Sequence, residues 1–438
     1  MPGQYLIRGT GAESIASDVE AAISSGALTP GAELPPIREL AGRLGVNANT
    51  VAAAYRLLRQ RGAVETAGRR GTRVRSRPAT TPRSLRGIAV PPGARDLSTG
   101  NPDPALLPVA RPGPARRSPV LYGDPAVSAE LTDFATSSLA ADGVPAEHIA
   151  VTAGALDGIE RVLAAHLRPG DRVAVEDPGW ANLLDLLAAL DVSAEPVRVD
   201  DDGPLTADVT QALRRGAGAM VLTSRAQNPT GAAISGARAD ELRLLLAEHR
   251  DVLLIEDDHC AGIAGAPLHP LAGTTQHWAF VRSAAKAYGP DLRLALLTGD
   301  ERTVQRVQGR LRLGPGWISH LLQDLAVSLW TDKAAGRLVH GAEVTYTRTR
   351  EALRAALADR GVQSHGRSGL NVWIPVADET VSITRLLSAG WAAAPGSRFR
   401  IGSPPGMRVT ISALGADEID ALADALAEAV LGVGRASV

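Results

Sequence analysis

From about residue 96 onward, short apolar runs alternate with amphipathic stretches, and this alternation narrows the choice of fold more than any other feature. The apolar runs, which have the length and composition of buried strands, are residues 148–152, 172–176, 219–223, 252–256, 278–282 and 292–298. Helical stretches such as residues 157–167 and 239–249 lie between them. This order predicts an α/β domain whose mostly parallel sheet is covered by helices on both faces. Its last part, mainly about residues 335–438 with helical stretches at 347–359 and 416–431, predicts a smaller α+β subdomain.

The first 76 residues have a different pattern, in which three short helices precede two β-prone stretches. Apolar residues four positions apart predict a helix over residues 11–25. A second predicted helix, residues 35–44, ends at Gly45, and Asn47 is a plausible cap for a third. Two helices about a tight turn, followed by a hairpin at residues 63–76, predict an α+β winged helix-turn-helix domain.

Charge separates this N-terminal part from the rest of the chain. Residues 1–86 contain 13 arginines and no lysine against 6 acidic residues, a net charge of +7, whereas the whole chain carries -1. A basic unit on an acidic body indicates a polyanion as its partner. In a winged helix-turn-helix the start of the second helix enters the major groove. The candidate DNA contacts are Arg38, Asn47, Asn49, Thr50 and, at the wing tip, Arg69 and Arg70. The alternative is a helical protein-interaction module with solvated charges.

The segment LPPIRELAGRLGVNANTVAAAYRLLRQRG resembles the GntR family of bacterial transcription regulators, and the resemblance extends over about residues 11–75. It implies that residues 1–76 form a DNA-binding domain with double-stranded operator DNA as partner. Ala48 and Ala52 stand where relatives often carry basic residues on the recognition helix. Residues 77–95 are rich in Pro, Arg and Gly, show no periodicity, and are predicted to be a linker to the domain at residues 96–438.

Lysine is almost absent, which draws attention to the two lysines that remain. Only Lys286 and Lys333 occur among 46 basic residues. Arginine can replace lysine for charge and phosphate contact, but it cannot form an imine. Lys286 follows a predicted strand, and Ser283 and Arg293 flank it at spacings suited to one phosphate. Lys333 has no such setting and reads as a surface residue.

Several other residues follow predicted strands and have the chemistry that pyridoxal 5'-phosphate requires, namely an acid for the ring nitrogen and a cradle for the phosphate. Asp257 ends a strand, with Asp258 as its rival. Gly154 and Ala155 stand at a strand-to-helix junction, where free amides favour phosphate. Asn228 can donate to a ring oxygen, and Trp180 can stack on a ring or simply pack in the core.

These motifs, in the order Tyr-Gly-Asp-Pro, Thr-x-Gly, Glu-Asp-Pro-Gly-Trp, Asn-Pro-Thr-Gly, Glu-Asp-Asp, Lys and Leu-Arg, resemble the fold type I pyridoxal phosphate enzymes of the aminotransferase class over roughly residues 96–438. The resemblance implies that Lys286 carries the aldimine and that Asp257 pairs with the ring nitrogen. It also implies that Tyr122 reaches the phosphate of a neighbouring subunit and that Arg408, or less strongly Arg398, binds an α-carboxylate. The family's tyrosine after Glu-Asp-Asp is His259 here, which can donate a similar bond to the ring oxygen, and its serine before the lysine is Ala285.

A GntR-type domain joined to an aminotransferase-like body resembles the MocR-type regulators. This resemblance implies a head-to-tail homodimer that binds operator DNA and senses pyridoxal phosphate, or an amine or amino-acid effector, through aldimine chemistry at Lys286. Two alternatives stay open. One is a catalytically active aminotransferase with an accessory DNA-binding domain, although enzymatic turnover is the less favoured reading. The other is a direct pyridoxal phosphate sensor that controls vitamin B6 genes.

Composition excludes other classes of protein. The single cysteine, Cys260, rules out a disulfide framework, and no ligand spacing around it indicates a metal site. No apolar run reaches the roughly 18 residues that a membrane span needs. The N-terminus lacks the pattern of a signal peptide. We therefore expect a cytoplasmic protein without a membrane partner.

Overall fold

The computed structural model describes residues 7–24, 27–29, 31–60, 63–66, 71–74, 83, 89–109 and 119–435. The chain divides into two compact units, residues 1–80 and 81–438, and the division falls inside the segment predicted to be a linker. Among the described residues, no helix combines the length and the hydropathy that crossing a membrane requires.

The N-terminal unit is three helices and a small antiparallel sheet in the order β1-β3-β2. Its elements are α1 (Ala12–Ser24), β1 (Glu33–Leu34), α2 (Ile37–Leu44), α3 (Ala48–Gln60), β2 (Val64–Thr66) and β3 (Thr72–Val74). The predicted helices and hairpin are confirmed, while β1 was not predicted. Gly45 ends α2 in the left-handed conformation, at φ 63°. Val51, Tyr55 and Leu58 lie buried on one face of α3, because residues three and four apart share a face.

The second unit contains the remaining helices and strands. Its strands are β4 (Arg95–Asp96), β5 (Ile149–Thr152), β6 (Arg172–Asp177), β7 (Ser193–Asp200), β8 (Gly203–Pro204), β9 (Ala217–Thr223), β10 (Leu253–Asp258), β11 (His277–Ser283), β12 (Ala295–Gly299), β13 (Asn371–Pro375), β14 (Trp391–Ala392), β15 (Ala394–Pro395) and β16 (Gly406–Thr410). Its helices are α4 (Ala129–Ala141), α5 (Ala155–His166), α6 (Ala181–Ala189), α7 (Thr206–Arg214), α8 (Gly236–Ala247), α9 (Ala285–Tyr288), α10 (Glu301–Arg312), α11 (His320–Thr331), α12 (Lys333–Asp359), α13 (Glu379–Ser388) and α14 (Ile419–Arg435).

An eight-stranded sheet in the order β5-β12-β11-β10-β9-β6-β7-β8 forms the centre of this unit. Strands β7, β6, β9, β10 and β11 are parallel to their neighbours in that run, whereas β12 is antiparallel to both β11 and β5. The mostly parallel sheet is therefore confirmed. The run predicted at residues 292–298 begins later than expected, because its first three residues lead into β12 rather than pair within it.

Helices cover both faces of the sheet, as the alternating pattern predicts. One apolar core joins the sheet to α5, α6 and α10, through side chains such as Ile159, Leu187 and Val307. The other joins it to α7 and α8, through Val209 and Leu242. Because both faces are buried, the central strands can be apolar at nearly every position.

The C-terminal part forms a smaller subdomain with its own core, to which α12, α14 and β13 contribute Leu353, Leu426 and Val372. Its sheet has the order β13-β16-β15, and β14 pairs with β4 at the start of the unit. The helix predicted at residues 347–359 is only the second half of α12, which is 27 residues long. The apolar signal was weak in its first half because many of those residues are exposed.

Candidate functional site

The carboxyl ends of neighbouring strands open onto one cavity of about 320 Å³. Ligands of open α/β sheets bind at such edges. Its lining includes Trp180 after β6, Asn228 after β9, His259 after β10 and Lys286 after β11. The charged side chains in the lining are all basic or imidazole groups, and none of the described residues contributes an acid to it. The cavity therefore selects for an anionic ligand.

Lys286 lies in the short helix α9, directly after the central strand β11. Its Nζ donates a hydrogen bond to the carbonyl oxygen of Gly100. Burial lowers the pKa of this amine from its usual 10.5; Cys260 acts in the opposite direction, and the positive charge of Arg408 adds to the lowering. A larger share of the amine is consequently neutral and nucleophilic than in a solvated lysine. Lys333, by contrast, is exposed at the first residue of α12.

Asp257 is buried at the end of β10 and has one oxygen to spare. Its Oδ2 lies 2.9 Å from His259 Nδ1, whereas its Oδ1 has no hydrogen-bond partner among the described residues. An unpaired carboxylate oxygen in a buried site is costly, so this atom is suited to an N–H group from a ligand. The rival Asp258 is not available, since both its oxygens are bound by Arg225 and Arg282.

His259 and Trp180 form two aromatic walls of the cavity. Their rings are nearly parallel, at an angle of 22°, with centroids 6.4 Å apart. Stacked carbon atoms sit roughly 3.5 Å apart, so one planar ring between these walls needs about 7 Å. The two walls therefore have to separate slightly to admit a ring. Burial alone would lower the pKa of the His259 imidazole, but the neighbouring Cys260 and Asp257 raise it well above 6.5. His259 thus turns a ring face to Trp180 and its Nδ1 to Asp257, and its predicted hydrogen bond to a ring oxygen stays a prediction.

The start of α5 and the end of β11 make an anion cradle. Gly154 caps α5 at φ 104°, and Ala155 and Leu156, the first residues of the helix, line the cavity at the end where free helix amides favour an anion. Arg293 crosses this turn and donates from Nη2 to the carbonyl of Ala153 at 2.9 Å. Ser283 lines the same end of the cavity. A Cβ on Gly154 would lie 2.5 Å from Arg293 Nη2, so only glycine allows this approach.

The opposite end of the cavity contains Arg408, on β16 of the small subdomain. Its Nη1 donates to Asn228 Oδ1 at 2.9 Å, and its Nη2 donates to the carbonyl of Ser98 at 2.6 Å. Its Nε has no hydrogen-bond partner in the part of the chain that the structure describes, and its guanidinium lies 4.9 Å from the Phe399 ring. Burial, followed by the charge of Arg398, lowers the Arg408 pKa from 12.5 to about 9. Arg398 also lines the cavity, so two cations can meet a carboxylate here.

Three predicted cofactor residues do not line the cavity: Asp257 and Gly154 directly precede or closely neighbour lining residues in the sequence, whereas Tyr122 lies on an exposed surface. It is 94% exposed, and its ring packs edge-on against Trp317 with centroids 5.6 Å apart. Leu121, Leu313 and Leu321 are also largely exposed. A role for Tyr122 at the phosphate of a second copy stays a prediction.

The predicted DNA contacts fall on α2 and at the start of α3. Arg38, Asn47 and Asn49 are exposed, and Thr50 is half-buried. Asn47 also caps α3, because its Oδ1 accepts a hydrogen bond from the Asn49 amide at 2.8 Å. Arg69 and Arg70 lie outside the described residues.

Two site features were missed from the sequence. Cys260 lines the cavity beside His259. Asp177, at the end of β6, accepts hydrogen bonds from the amides of residues 401–403 and from the Ser403 hydroxyl, all between 2.8 and 2.9 Å. An acid directly after a buried strand was the only available signal for Asp177, and it does not reveal a partner more than 200 residues away.

Comparisons with known proteins agree with this geometry. Residues 97–426 match the family of class I and II aminotransferases, and residues 12–74 match the bacterial regulatory proteins of the gntR family. The chain is 41% identical over 424 residues to the vitamin B6 salvage pathway transcriptional repressor PtsJ of Salmonella typhimurium, covering 95% of this chain and 98% of PtsJ. It is 32% identical over 265 residues to the pyridoxine biosynthesis transcriptional regulator PdxR of Corynebacterium glutamicum, covering 57% of each. The kynurenine aminotransferase of Pyrococcus horikoshii shares the fold, with a TM-score of 0.69 and 18% identity over 78% of this chain and 91% of that chain.

Proposed function

Because the chain belongs to the class I and II aminotransferase family and, with its GntR domain, to the MocR-type transcription regulators, we propose that pyridoxal 5'-phosphate bound in the cavity controls its affinity for operator DNA. The observation that carries this proposal is the unpaired Oδ1 of Asp257. A protonated pyridine nitrogen is the complementary donor, and it would remove the cost of leaving that oxygen unpaired.

The remaining residues also fit this group. Pyridoxal phosphate supplies an aldehyde that condenses with a primary amine, and Lys286 presents such an amine in a more neutral state than usual. Trp180 and His259 would hold the ring between them, and Asn228 would contact its phenolic oxygen. Gly154, Ala155, Ser283 and Arg293 would hold the phosphate.

We take pyridoxal phosphate itself as the sensed compound and vitamin B6 genes as the targets. The names of PtsJ and PdxR both refer to vitamin B6 supply, and PtsJ spans nearly the whole chain. Arg408 supports the second form of the proposal, in which an amino acid joins the cofactor. Its unpartnered Nε, together with Arg398, offers a place for a carboxylate.

A working aminotransferase is the competing function. The Arg408–Asn228 hydrogen bond favours it, because that pair would hold an amino-acid substrate beside Lys286. We propose that the chain is a sensor rather than an enzyme, since the N-terminal unit has no place in amino-group transfer. The chain would act in the cytoplasm as a head-to-tail homodimer, and the exposed Leu121, Tyr122, Leu313 and Leu321 would meet a second copy.

A single titration separates these proposals. Apoprotein is mixed with a DNA fragment that it has itself selected from a random pool, and pyridoxal phosphate is added with or without single amino acids. A sensor of the cofactor alone changes its DNA affinity without any amino acid, and Lys286→Ala abolishes the change. If DNA affinity never changes while amino groups are transferred repeatedly to a keto acid, the chain is an enzyme and the proposal is wrong.

A further inference from the structure

Arg83 belongs to the predicted linker, residues 77–95, which we call the connecting segment, and it is attached to the body of the second unit by several contacts. Its backbone amide donates to Asp185 Oδ2 at 2.6 Å, and its Nε lies 3.2 Å from Asp185 Oδ1. Its Nη1 donates to the carbonyl oxygen of Arg400 at 3.3 Å. Both side chains of the ion pair are about one-third exposed, at 31% for Arg83 and 29% for Asp185. This single residue therefore contacts two separate elements of the second unit, one containing Asp185 and the other containing Arg400.

The first of these elements begins at the cavity wall. Asp185 lies on α6, and Trp180 is the residue that caps this helix. A side chain on the second turn of a short helix moves with the residue at its start, because the helix is a rigid unit. A displacement of Trp180 by a ligand therefore changes the position of Asp185.

The second element is the loop of residues 399–403, at the small-subdomain side of the cavity. Phe399 lines the cavity and accepts a hydrogen bond from the Gly179 amide at 2.8 Å. Asp177 holds the amides of residues 401–403. Arg400 is itself fixed by Glu379, 3.1 Å from its Nη2. The Arg400 carbonyl, to which Arg83 donates, thus belongs to a loop that is fixed by several hydrogen bonds and contacts the cavity.

The same segment is attached again where it ends. Arg95 forms an ion pair with Glu418 at 3.0 Å, and the amides of Arg95 and Leu97 donate to Gly390 and Ala392. This second attachment is entirely to the small subdomain. Arg83 thus contacts α6 and the 399–403 loop, whereas Arg95 contacts the small subdomain alone.

We propose that Asp185 and the Arg400 carbonyl form a docking site for the connecting segment, and that Arg83 transmits the state of the cavity to the DNA-binding unit. The inference deepens the proposed function, since it names the residue by which ligand and operator affinity are coupled. A ligand that shifts α6 against the 399–403 loop cannot leave both Arg83 contacts intact. Arg83 is therefore docked in one state of the cavity and undocked in the other, and each state has its own affinity for DNA.

The test compares Arg83→Gln with Arg198→Gln in the full-length protein. Arg198 forms an ion pair with Asp208 at 2.7 Å; neither residue lines the cavity, and neither has a hydrogen bond or ion pair to the described residues of the connecting segment. Operator affinity is measured with and without saturating pyridoxal phosphate. We expect Arg83→Gln to bind pyridoxal phosphate as the wild type does, but to reduce the cofactor-dependent change in operator affinity by about 2- to 30-fold. Arg198→Gln should leave that change intact.

Two further measurements make the result specific. Coupling is reciprocal, so operator DNA should alter the cofactor affinity of the wild type and lose that effect in Arg83→Gln. Asp185→Asn should act in the same direction, and adding it to Arg83→Gln should have little further effect. Full coupling in Arg83→Gln, or equal loss in Arg198→Gln, would overturn the inference.

Hydrogen exchange of residues 77–95 distinguishes failure of this inference from failure of the proposed function. Pyridoxal phosphate should change exchange in this segment of the wild type and leave it unchanged in Arg83→Gln. If the segment responds in this way but operator affinity does not, the docking site stands and the proposed function fails. If operator affinity responds while the segment shows no change, the docking inference fails and the proposed function stands.

Discussion

Replacing Gly154 with alanine tests the proposed phosphate cradle most directly. The added Cβ would lie 2.5 Å from Nη2 and 3.0 Å from Cζ of Arg293. Contacts this short do not occur, so the guanidinium has to leave the turn and give up its hydrogen bond to Ala153. The variant removes a proposed phosphate contact without altering any charged residue.

The expected magnitude follows from the proposed hydrogen bond between Arg293 and the phosphate, which is lost when the guanidinium leaves the turn. A hydrogen bond to a charged group contributes about 1.5–3 kcal/mol, which corresponds to a roughly 10- to 150-fold loss of affinity for pyridoxal phosphate. Pyridoxal has the same ring and aldehyde but no phosphate, so its affinity should change by less than about threefold. The ratio of the two affinities is thus the informative quantity.

Quenching of tryptophan fluorescence during titration with each compound measures both affinities, because Trp180 lines the cavity. Gly170→Ala is the matched control, since Gly170 has φ 93° and no atom within 4 Å of an added Cβ. Both variants introduce backbone strain of about 1–3 kcal/mol, but only Gly154→Ala should lower the preference for the phosphorylated compound. A wild-type preference in Gly154→Ala, or a lost preference in Gly170→Ala, would refute the cradle.

Three further predictions concern other parts of the chain. Arg38→Ala should weaken operator binding and reduce the dependence of log affinity on log salt by about one, measured between low and moderate salt; an unchanged slope would contradict a phosphate contact. Lys286→Ala should abolish the imine absorbance of bound cofactor and its fixation by borohydride, whereas Lys333→Ala should keep both. Burial raises the pKa of Glu256 from 4.5 to about 7, so the folded state holds a proton that the unfolded state releases, and stability falls as pH rises from 4.5 to 7. Glu256→Gln can keep the hydrogen bonds to Leu271 and Ser224. It should remove about 3 kcal/mol of this decline in the free energy of unfolding, measured by denaturant titration at each pH. A pH profile identical to that of the wild type would contradict the raised pKa.

The fold was largely predictable because its signals are local. All six predicted strands have their centres in observed strands, since a strand buried on both faces of a sheet is apolar along most of its length. Strand β7 was missed because its exposed and buried residues alternate toward the sheet edge, where Glu195 and Arg198 interrupt the apolar run. Strands β1 and β8 have only two residues each, too few for any periodicity.

The site was predictable as a set of residues but not as an arrangement. A lysine after a strand and a glycine before a helix have chemical meaning in the sequence alone. The direction of the His259 ring does not, because it depends on the hydrogen bond to Asp257 and on Trp180 nearly 80 residues away. The contacts of Asp177 and Arg83 join positions more than 100 residues apart, and no local pattern encodes them.

The contacts between ligand and protein that depend on the position of the small subdomain identify the effector. A ligand changes an equilibrium only through contacts that differ between its two states. Asp257, Lys286 and Gly154 all lie at the eight-stranded sheet. Contacts to them alone therefore make ligand binding tighter without changing the position of the small subdomain. Two routes lead further, one from Trp180 through α6 and the other from Arg408 on β16.

These two routes separate a sensor of pyridoxal phosphate from a sensor of an amino compound. The ring of the cofactor reaches Trp180 without help, whereas Arg408 requires a ligand with a carboxylate. If the cofactor alone is the signal, Trp180→Leu should lose the change in operator affinity at saturating cofactor, and Arg408→Gln should keep it. An amino-acid signal predicts that Arg408→Gln loses the response to that amino acid. If both variants respond as the wild type does, neither route carries the signal, because the response then depends on neither the Trp180 contact nor the Arg408 contact.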